Sequence, residues 1–144
     1  MKHLPQRKRI RLPHNTYAQE NVFSITITTS ARYPWFQLYP DLVKKFIQLC
    51  IEKAKKCEAS LYAWCIMPDH IHILLQDKNI ISFVRAIKGK LTPIARRLEA
   101  GRPLWQRSFF DHALRGEESL DSVTRYIWEN PVRAGLSHTA SAYA

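Results

Sequence analysis

His70 and His72 are separated by one residue, and Tyr126 and Asn130 by three. On a strand, positions i and i+2 face the same side, so the two imidazoles project together while Ile71, Ile73 and Leu75 project to the other face. Imidazole is a common ligand of divalent metals, and two on one strand face are close enough to share a cation. The same spacing also suits two surface histidines that hold nothing. Here the pair opens a strand directly after Met67-Pro68-Asp69, a turn-forming segment, inside an otherwise apolar hairpin where polar side chains need a reason.

Tyr126 and Asn130 stack on one face of a helix, and Ser122 extends the row. The apolar stripe of that helix, Leu120, Val123 and Ile127, lies about 100° around the axis. Tyr126 thus stands beside the buried stripe with its hydroxyl able to reach a polar site; a tyrosine that merely covers the core edge would look the same. A phenol is a poor nucleophile at neutral pH because its pKa is about 10. A phosphate polarised by a metal is easier to attack, because the developing negative charge is stabilised. Attack by tyrosine keeps the phosphodiester energy in a phosphotyrosine link that can be resealed without ATP, which suits strand transfer better than hydrolysis. An amide oxygen from Asn130 can complete a mixed nitrogen–oxygen shell. Such a shell suits Mg²⁺ or Mn²⁺ less than an all-oxygen one but admits them.

Elements able to carry these residues can be read from hydrophobic period. Residues 21–29 alternate as a half-buried strand, with Phe23, Ile25 and Ile27 on one side and Ser24, Thr26 and Thr28 on the other. Residues 41–57 repeat Leu42, Phe46, Leu49, Cys50, Ala54 and Cys57 at helical spacing. Residues 60–67 and 70–76 read as a β-hairpin. Residues 80–99 read as a helix, with Ile81, Val84, Ile87, Leu91 and Ile94 apolar and Arg85, Lys88, Arg96 and Arg97 basic; Pro93 is expected to kink or split it. Residues 104–112 suggest a fourth strand and 117–130 a last helix that Pro131 stops. The order β-α-β-β-α-β-α predicts an α+β, ferredoxin-like (split βαβ) antiparallel sheet with a C-terminal helix carrying the tyrosine.

The chain of 144 residues fits one domain. Residues 1–17 form a basic arm, 18–137 a core and 138–144 a tail. The formal net charge of +10 points to a polyanionic partner, most commonly nucleic acid, although a basic surface can also serve solubility alone. No run approaches the roughly 20 apolar residues of a membrane helix, so no membrane partner and a cytoplasmic setting are expected. The three cysteines, Cys50, Cys57 and Cys65, lack metal or disulfide spacing. Cys50 and Cys57 are expected as buried, reduced core residues.

At these residues the sequence resembles the HUH endonucleases with one catalytic tyrosine, and within them the REP-associated tyrosine transposases. Three segments carry the resemblance: Met67-Pro68-Asp69-His70-Ile71-His72-Ile73-Leu74, Trp105-Gln106-Arg107-Ser108-Phe109-Phe110-Asp111-His112, and the run from Tyr126 to Leu136, Tyr-Ile-Trp-Glu-Asn-Pro-Val-Arg-Ala-Gly-Leu. The His-hydrophobe-His strand alone is a weak signal; the three in this order and spacing are a strong one.

The resemblance implies that His70 and His72 ligate a divalent metal, Mg²⁺ or Mn²⁺, with Asn130 in the third-ligand position. Related insertion-sequence transposases usually carry glutamine there, so Asn130 follows the REP-associated group. It implies that Tyr126 attacks a DNA phosphate, leaving a 5′-phosphotyrosine and a free 3′-hydroxyl. The implied substrate is single-stranded DNA folded into an imperfect hairpin beside a short guide sequence, handled by a monomer or a homodimer. Gln106, Arg107 and Arg133, and the arm residues Arg7, Lys8, Arg9 and Arg11, are candidate DNA contacts; they can equally be solvated charges. Asp111 and His112 are candidates for orienting the ligands. Trp105 and Trp128 are expected in the core rather than as base-stacking platforms.

The competing reading is a non-catalytic ferredoxin-like module that binds nucleic acid without cutting it, since fold alone cannot decide. An RNA-recognition module would place aromatics on its central strands, where this sequence has His70 and His72.

Overall fold

The computed structural model describes residues 22–114 and 120–129. The arm residues Arg7, Lys8, Arg9 and Arg11, the proposed ligand Asn130, Arg133 and the 138–144 tail lie outside the described residues.

Strand β1, Val22–Thr28, alternates as its sequence requires: Phe23, Ile25 and Ile27 are fully buried, and the residues between them are half-buried. A short helix α1, Trp35–Leu38, and a long helix α2, Pro40–Cys57, follow. Pro40 stands at the first turn of α2, where its missing N–H costs nothing. Glu58, left-handed at φ 55°, ends that helix. Strands β2, Ser60–Ile66, and β3, His70–Gln76, form the hairpin. Helix α3, Ile80–Leu98, starts where the Asn79 side chain accepts the Ser82 N–H at 3.0 Å. Strand β4, Phe110–Ala113, and helix α4, Leu120–Trp128, complete the order.

The sheet runs β2-β3-β1-β4 with every neighbouring pair antiparallel. β3 inserts between β1 and β2, which is the split βαβ arrangement expected from the sequence. Helices α2 and α3 cover one face. Their buried stripes, including Leu42, Phe46 and Leu49 of α2 and Phe83, Ile87 and Leu91 of α3, join Phe23, Ile25, Ile27, Ile71, Ile73 and Leu75 in one core. A bulge between Leu61 and Ala63 shifts β2 by one residue. It sends Leu61 to the main core and puts Ala63 and Cys65 on the opposite face, beside Leu74.

On that opposite face a second, smaller core forms from Ala63, Cys65, Met67, Leu74 and Ile127. Ile127 is the contribution of α4. Burying it is worth about 1.5–3 kcal/mol.

Four expectations need correction. The segment 104–112 is not one strand: Leu104–Phe109 is irregular, bridged to the sheet only where Trp105 pairs with Thr29, and β4 spans Phe110–Ala113. Ser108 at φ 70° breaks the extended run. Pro93 does not divide α3; it sits on the exposed side, where one lost helical hydrogen bond faces solvent. Cys57 is exposed, because the buried stripe of α2 ends at Ala54 and Cys57 is the last residue of the helix. Cys50 is buried as expected, and burial pushes its thiol pKa up to about 12. Trp128 is half in solvent, whereas its neighbour Ile127 is buried and Trp105 is half-buried against Phe36. Among the described residues no helix is long and apolar enough to cross a membrane.

Candidate active site

β3 begins at His70, opposite Thr28 of β1, and His72 lies opposite Thr26. Both imidazoles occupy the face away from α2 and α3, as the two-residue period demands. Their ring centroids are 4.8 Å apart and the rings meet edge-on at 87°.

Each ring is held through Nδ1. His70 Nδ1 lies 2.7 Å from Asp69 Oδ1. A carboxylate only accepts, so this nitrogen donates and, in the neutral ring, Nε2 carries the lone pair. His72 Nδ1 lies 3.1 Å from Thr26 Oγ1, which holds the ring plane. Asp69 is itself anchored. Its Oδ2 accepts the Arg32 Nε–H at 2.9 Å. Its backbone carbonyl accepts the Thr29 N–H at 2.9 Å, and the Thr29 hydroxyl donates to it at 2.9 Å as well. Burial works to raise the Asp69 pKa, but the hydrogen bonds from His70 and Arg32 and their positive charge outweigh it, so the carboxyl is held below its ordinary value.

The turn that brings Arg32 to Asp69 is strained. Ala31 and Arg32 are both left-handed, at φ 54° and 55°, a conformation that costs a non-glycine residue about 1–2 kcal/mol. The strain is borne next to the first imidazole, where such outliers tend to collect. Thr29, fully buried, ties that turn to the hairpin turn.

Helix α4 packs on the histidine face. Ile127 is 1% exposed among Ala63, Cys65, Met67 and Leu74. Cys65 is the cross-strand partner of His72, and the Met67 N–H donates to the His70 carbonyl at 2.8 Å. The tyrosine helix of one chain is therefore seated on direct neighbours of both its own histidines. Tyr126, next to Ile127, is 60% exposed. The sequence geometry placed Tyr126 beside the buried stripe, and its side chain is where that offset puts it.

β4 divides the two residues expected to orient the ligands. His112 pairs with Ser24 and shares the histidine face, exposed to solvent. Asp111 pairs with Ile25 and so stands on the helix-covered face, opposite to His70 and His72. The hydrogen bonds at the two Nδ1 atoms run to Asp69 and Thr26, neither of which the sequence reading named for that task. Asp69 was legible as the residue before His70; Thr26 was not, because only strand register sets it across from His72. Gln106 and Arg107 are exposed in the irregular segment, and the Gln106 N–H donates to the Thr28 carbonyl at 2.9 Å. Among the described residues no third histidine, cysteine or carboxylate joins the imidazoles as a ligand cluster.

Comparison with known proteins bears on this arrangement. The chain matches the model of a family described as "Transposase IS200 like" over residues 19–130. A Haemophilus influenzae protein, provisionally described as a REP-associated tyrosine transposase, is 33% identical over 109 residues, 66% of this chain and 62% of that protein. An Escherichia coli K12 protein named REP-associated tyrosine transposase is 30% identical over 77 residues, 51% of this chain and 44% of that protein. The chain thus spans less than two thirds of the length of these relatives. A solved structure, described as a REP-associated tyrosine transposase bound to a REP hairpin, shares the fold with a TM-score of 0.72 at 22% identity, over 87% of this chain and 74% of that one. A provisionally described transposase from Deinococcus radiodurans aligns with a TM-score of 0.55 at 20% identity, over 81% of this chain and 95% of that one.

Proposed function

From the premise that the chain belongs to the IS200-like transposase family, we propose that it is a metal-dependent endonuclease and strand transferase acting on hairpin-forming single-stranded DNA. The observation that carries this reading is the seating of α4 on the histidine face, with Ile127 packed against the neighbours of His70 and His72. The relatives named for tyrosine transposition and the neighbour bound to a REP hairpin support the same substrate class.

His70 and His72, each braced through Nδ1, are a donor pair that fits a divalent cation such as Mg²⁺ or Mn²⁺, with Asn130 as the remaining protein ligand. That cation would polarise the scissile phosphate and favour the negative charge that builds on it. Asp69 and Thr26 hold the two rings in place for it. Tyr126 supplies the nucleophile: its oxygen forms the new bond to phosphorus as the bond to the 3′-oxygen breaks. The phenol gives up one proton and the departing oxygen takes one, so the 5′-phosphotyrosine link and a 3′-hydroxyl form with no cofactor consumed. A 3′-hydroxyl attacking that link reverses the step and reseals or transfers the strand.

The test is a labelled single-stranded hairpin incubated with Mg²⁺ or Mn²⁺ and the protein, then denatured. A covalent adduct is expected, and Tyr126→Phe should abolish it. An adduct that survives Tyr126→Phe would overturn the assignment. Because Tyr126 is 60% exposed, the variant should keep its stability within about 0.5 kcal/mol.

A further inference from the structure

Three depressions on the surface form one continuous line. The first, about 480 Å³, lies between the C-terminal half of α3 and the segment after it, with Arg96, Thr92 and Trp105 on its wall. The second, about 470 Å³, shares Thr92 and Trp105 with the first and continues past Gly89 and Arg85 to Ser108 and Phe109. The third shares Ser108 and Phe109 and ends against Thr28, Gln106, Arg107 and Phe110. Each of the larger two has the size of a pocket for a nucleotide-sized group. The line ends at the candidate active site. Thr28 is the cross-strand partner of His70, and Phe110 lies in one row with Thr26 and His72 across the sheet.

The helical wall of this track is a single stripe. Arg85, Gly89, Thr92 and Arg96 recur at i, i+4, i+7 and i+11, turned away from the buried stripe of Phe83, Ile87 and Leu91. Arg85 and Arg96 are exposed, and among the described residues no acid is paired with either. They stand about 16 Å apart along the helix. Gly89 between them leaves the wall bare: a Cβ there would meet nothing within 4 Å. Lys88 has a different task. Its Nζ donates to the carbonyls of Gln106 at 3.1 Å and Ser108 at 2.9 Å, stapling the irregular segment to α3. Trp105 is fixed by its indole N–H, which donates to the Lys88 carbonyl at 3.1 Å. Arg102, on the rim, is matched by Glu99 at 3.0 Å and adds little net charge. At the active-site end, Phe110 is 61% exposed on the histidine face. This ring stands in water on the far side of Thr26 from His72, in the same cross-strand row, and it is the kind of platform on which an unpaired base stacks.

We infer that this track holds the unpaired flank of the DNA substrate: phosphates on Arg85 and Arg96, the strand passing the Trp105–Ser108 segment, and a base laid on Phe110 where the strand meets His70 and His72. Cations and aromatic surface along one open groove, Arg96, Trp105, Arg85 and Phe110 among them, fit a single strand rather than a duplex. The inference rests on the strand-transferase reading for the identity of the ligand, but it concerns a separate surface.

The experiment compares two labelled probes by fluorescence anisotropy in Mg²⁺ over a series of salt concentrations: a bare hairpin, and the same hairpin with an unpaired flank of about eight nucleotides. The flank should tighten binding to the wild-type protein by about tenfold or more. In the double variant Arg85→Ala, Arg96→Ala that gain should vanish, with the bare hairpin changed less than about twofold. The slope of log affinity against log salt for the flanked probe should fall by about 1.4, or roughly 0.7 for each single-strand phosphate that is no longer neutralised. Gly89→Glu, which adds an acid to the track while improving helix propensity, should act the same way with no loss of thermal stability. Phe110→Ala should weaken only the flanked probe, by about tenfold. A flank that adds no affinity to the wild type, or variants that weaken both probes equally or neither, would overturn the inference. Absence of the Tyr126 adduct in the wild type, with the flank effect intact, would remove the catalytic reading and leave the track standing.

Discussion

Asp69 Oδ1 and His70 Nδ1 are 2.7 Å apart, and the other oxygen of the same carboxylate holds Arg32. The first imidazole of the pair is thus steered by a residue next to it in sequence, which is in turn clamped by a turn from a different part of the chain. Asp69→Asn keeps the size of the side chain but removes the charge that favours a donating Nδ1. Its affinity for Mn²⁺, measured by titration calorimetry, should fall about 10- to 100-fold. Thr26→Val should lower it through His72 by a similar route. Arg32→Ala should cost far less, because that guanidinium is 66% exposed and its pairing is weakened by water. Unchanged metal affinity in Asp69→Asn would mean that the carboxylate serves the turn and not the ligand.

Ile127 ties the tyrosine to the histidine face, so its truncation separates docking from chemistry. Ile127→Ala should remove about 2–5 kcal/mol from the local packing of α4. Hydrogen exchange should then quicken in residues 120–128, while the amides of β1 and β3 keep their protection. Adduct formation should drop although Tyr126 is intact. Equal loosening of the central strands would show that the second core supports the whole sheet.

Glu99 gathers three donors: the hydroxyls of Tyr33 and Tyr39, each at 2.8 Å, and Arg102. The hydrogen bond from Tyr39 leads in lowering its pKa, with those from Tyr33 and Arg102 helping against desolvation. A carboxyl depressed in the folded state adds stability that is present above the unfolded value near 4.5 and is lost as pH falls through the folded one. The tyrosines are raised, chiefly by the hydrogen bond to Glu99, so their contribution holds below about pH 10 and is lost above it. Glu99→Gln should therefore be less stable than the wild type at pH 7 by urea denaturation, and the gap should narrow towards pH 3. A gap independent of pH would sink this account.

The strands, the main helices and their order were legible in the sequence, because burial on one face imposes a period of two or of about 3.6 on the residues. The pairing of His70 with His72, and the offset of Tyr126 from Ile127, follow from those same periods. Where a segment is held by single contacts instead of a repeating face, the sequence misled. Leu104–Phe109 has the composition of a strand, yet it is kept irregular by the Lys88 staple and by the left-handed Ser108. Asp111 and His112 are neighbours in sequence, but the pleat sends them to opposite faces. Tertiary structure alone decided that Thr26 braces His72, that Arg32 reaches Asp69, and that α4 settles on the same face as the histidines. Each of these depends on register or on packing between segments far apart in the chain, and no local period encodes which partner a residue meets across a sheet.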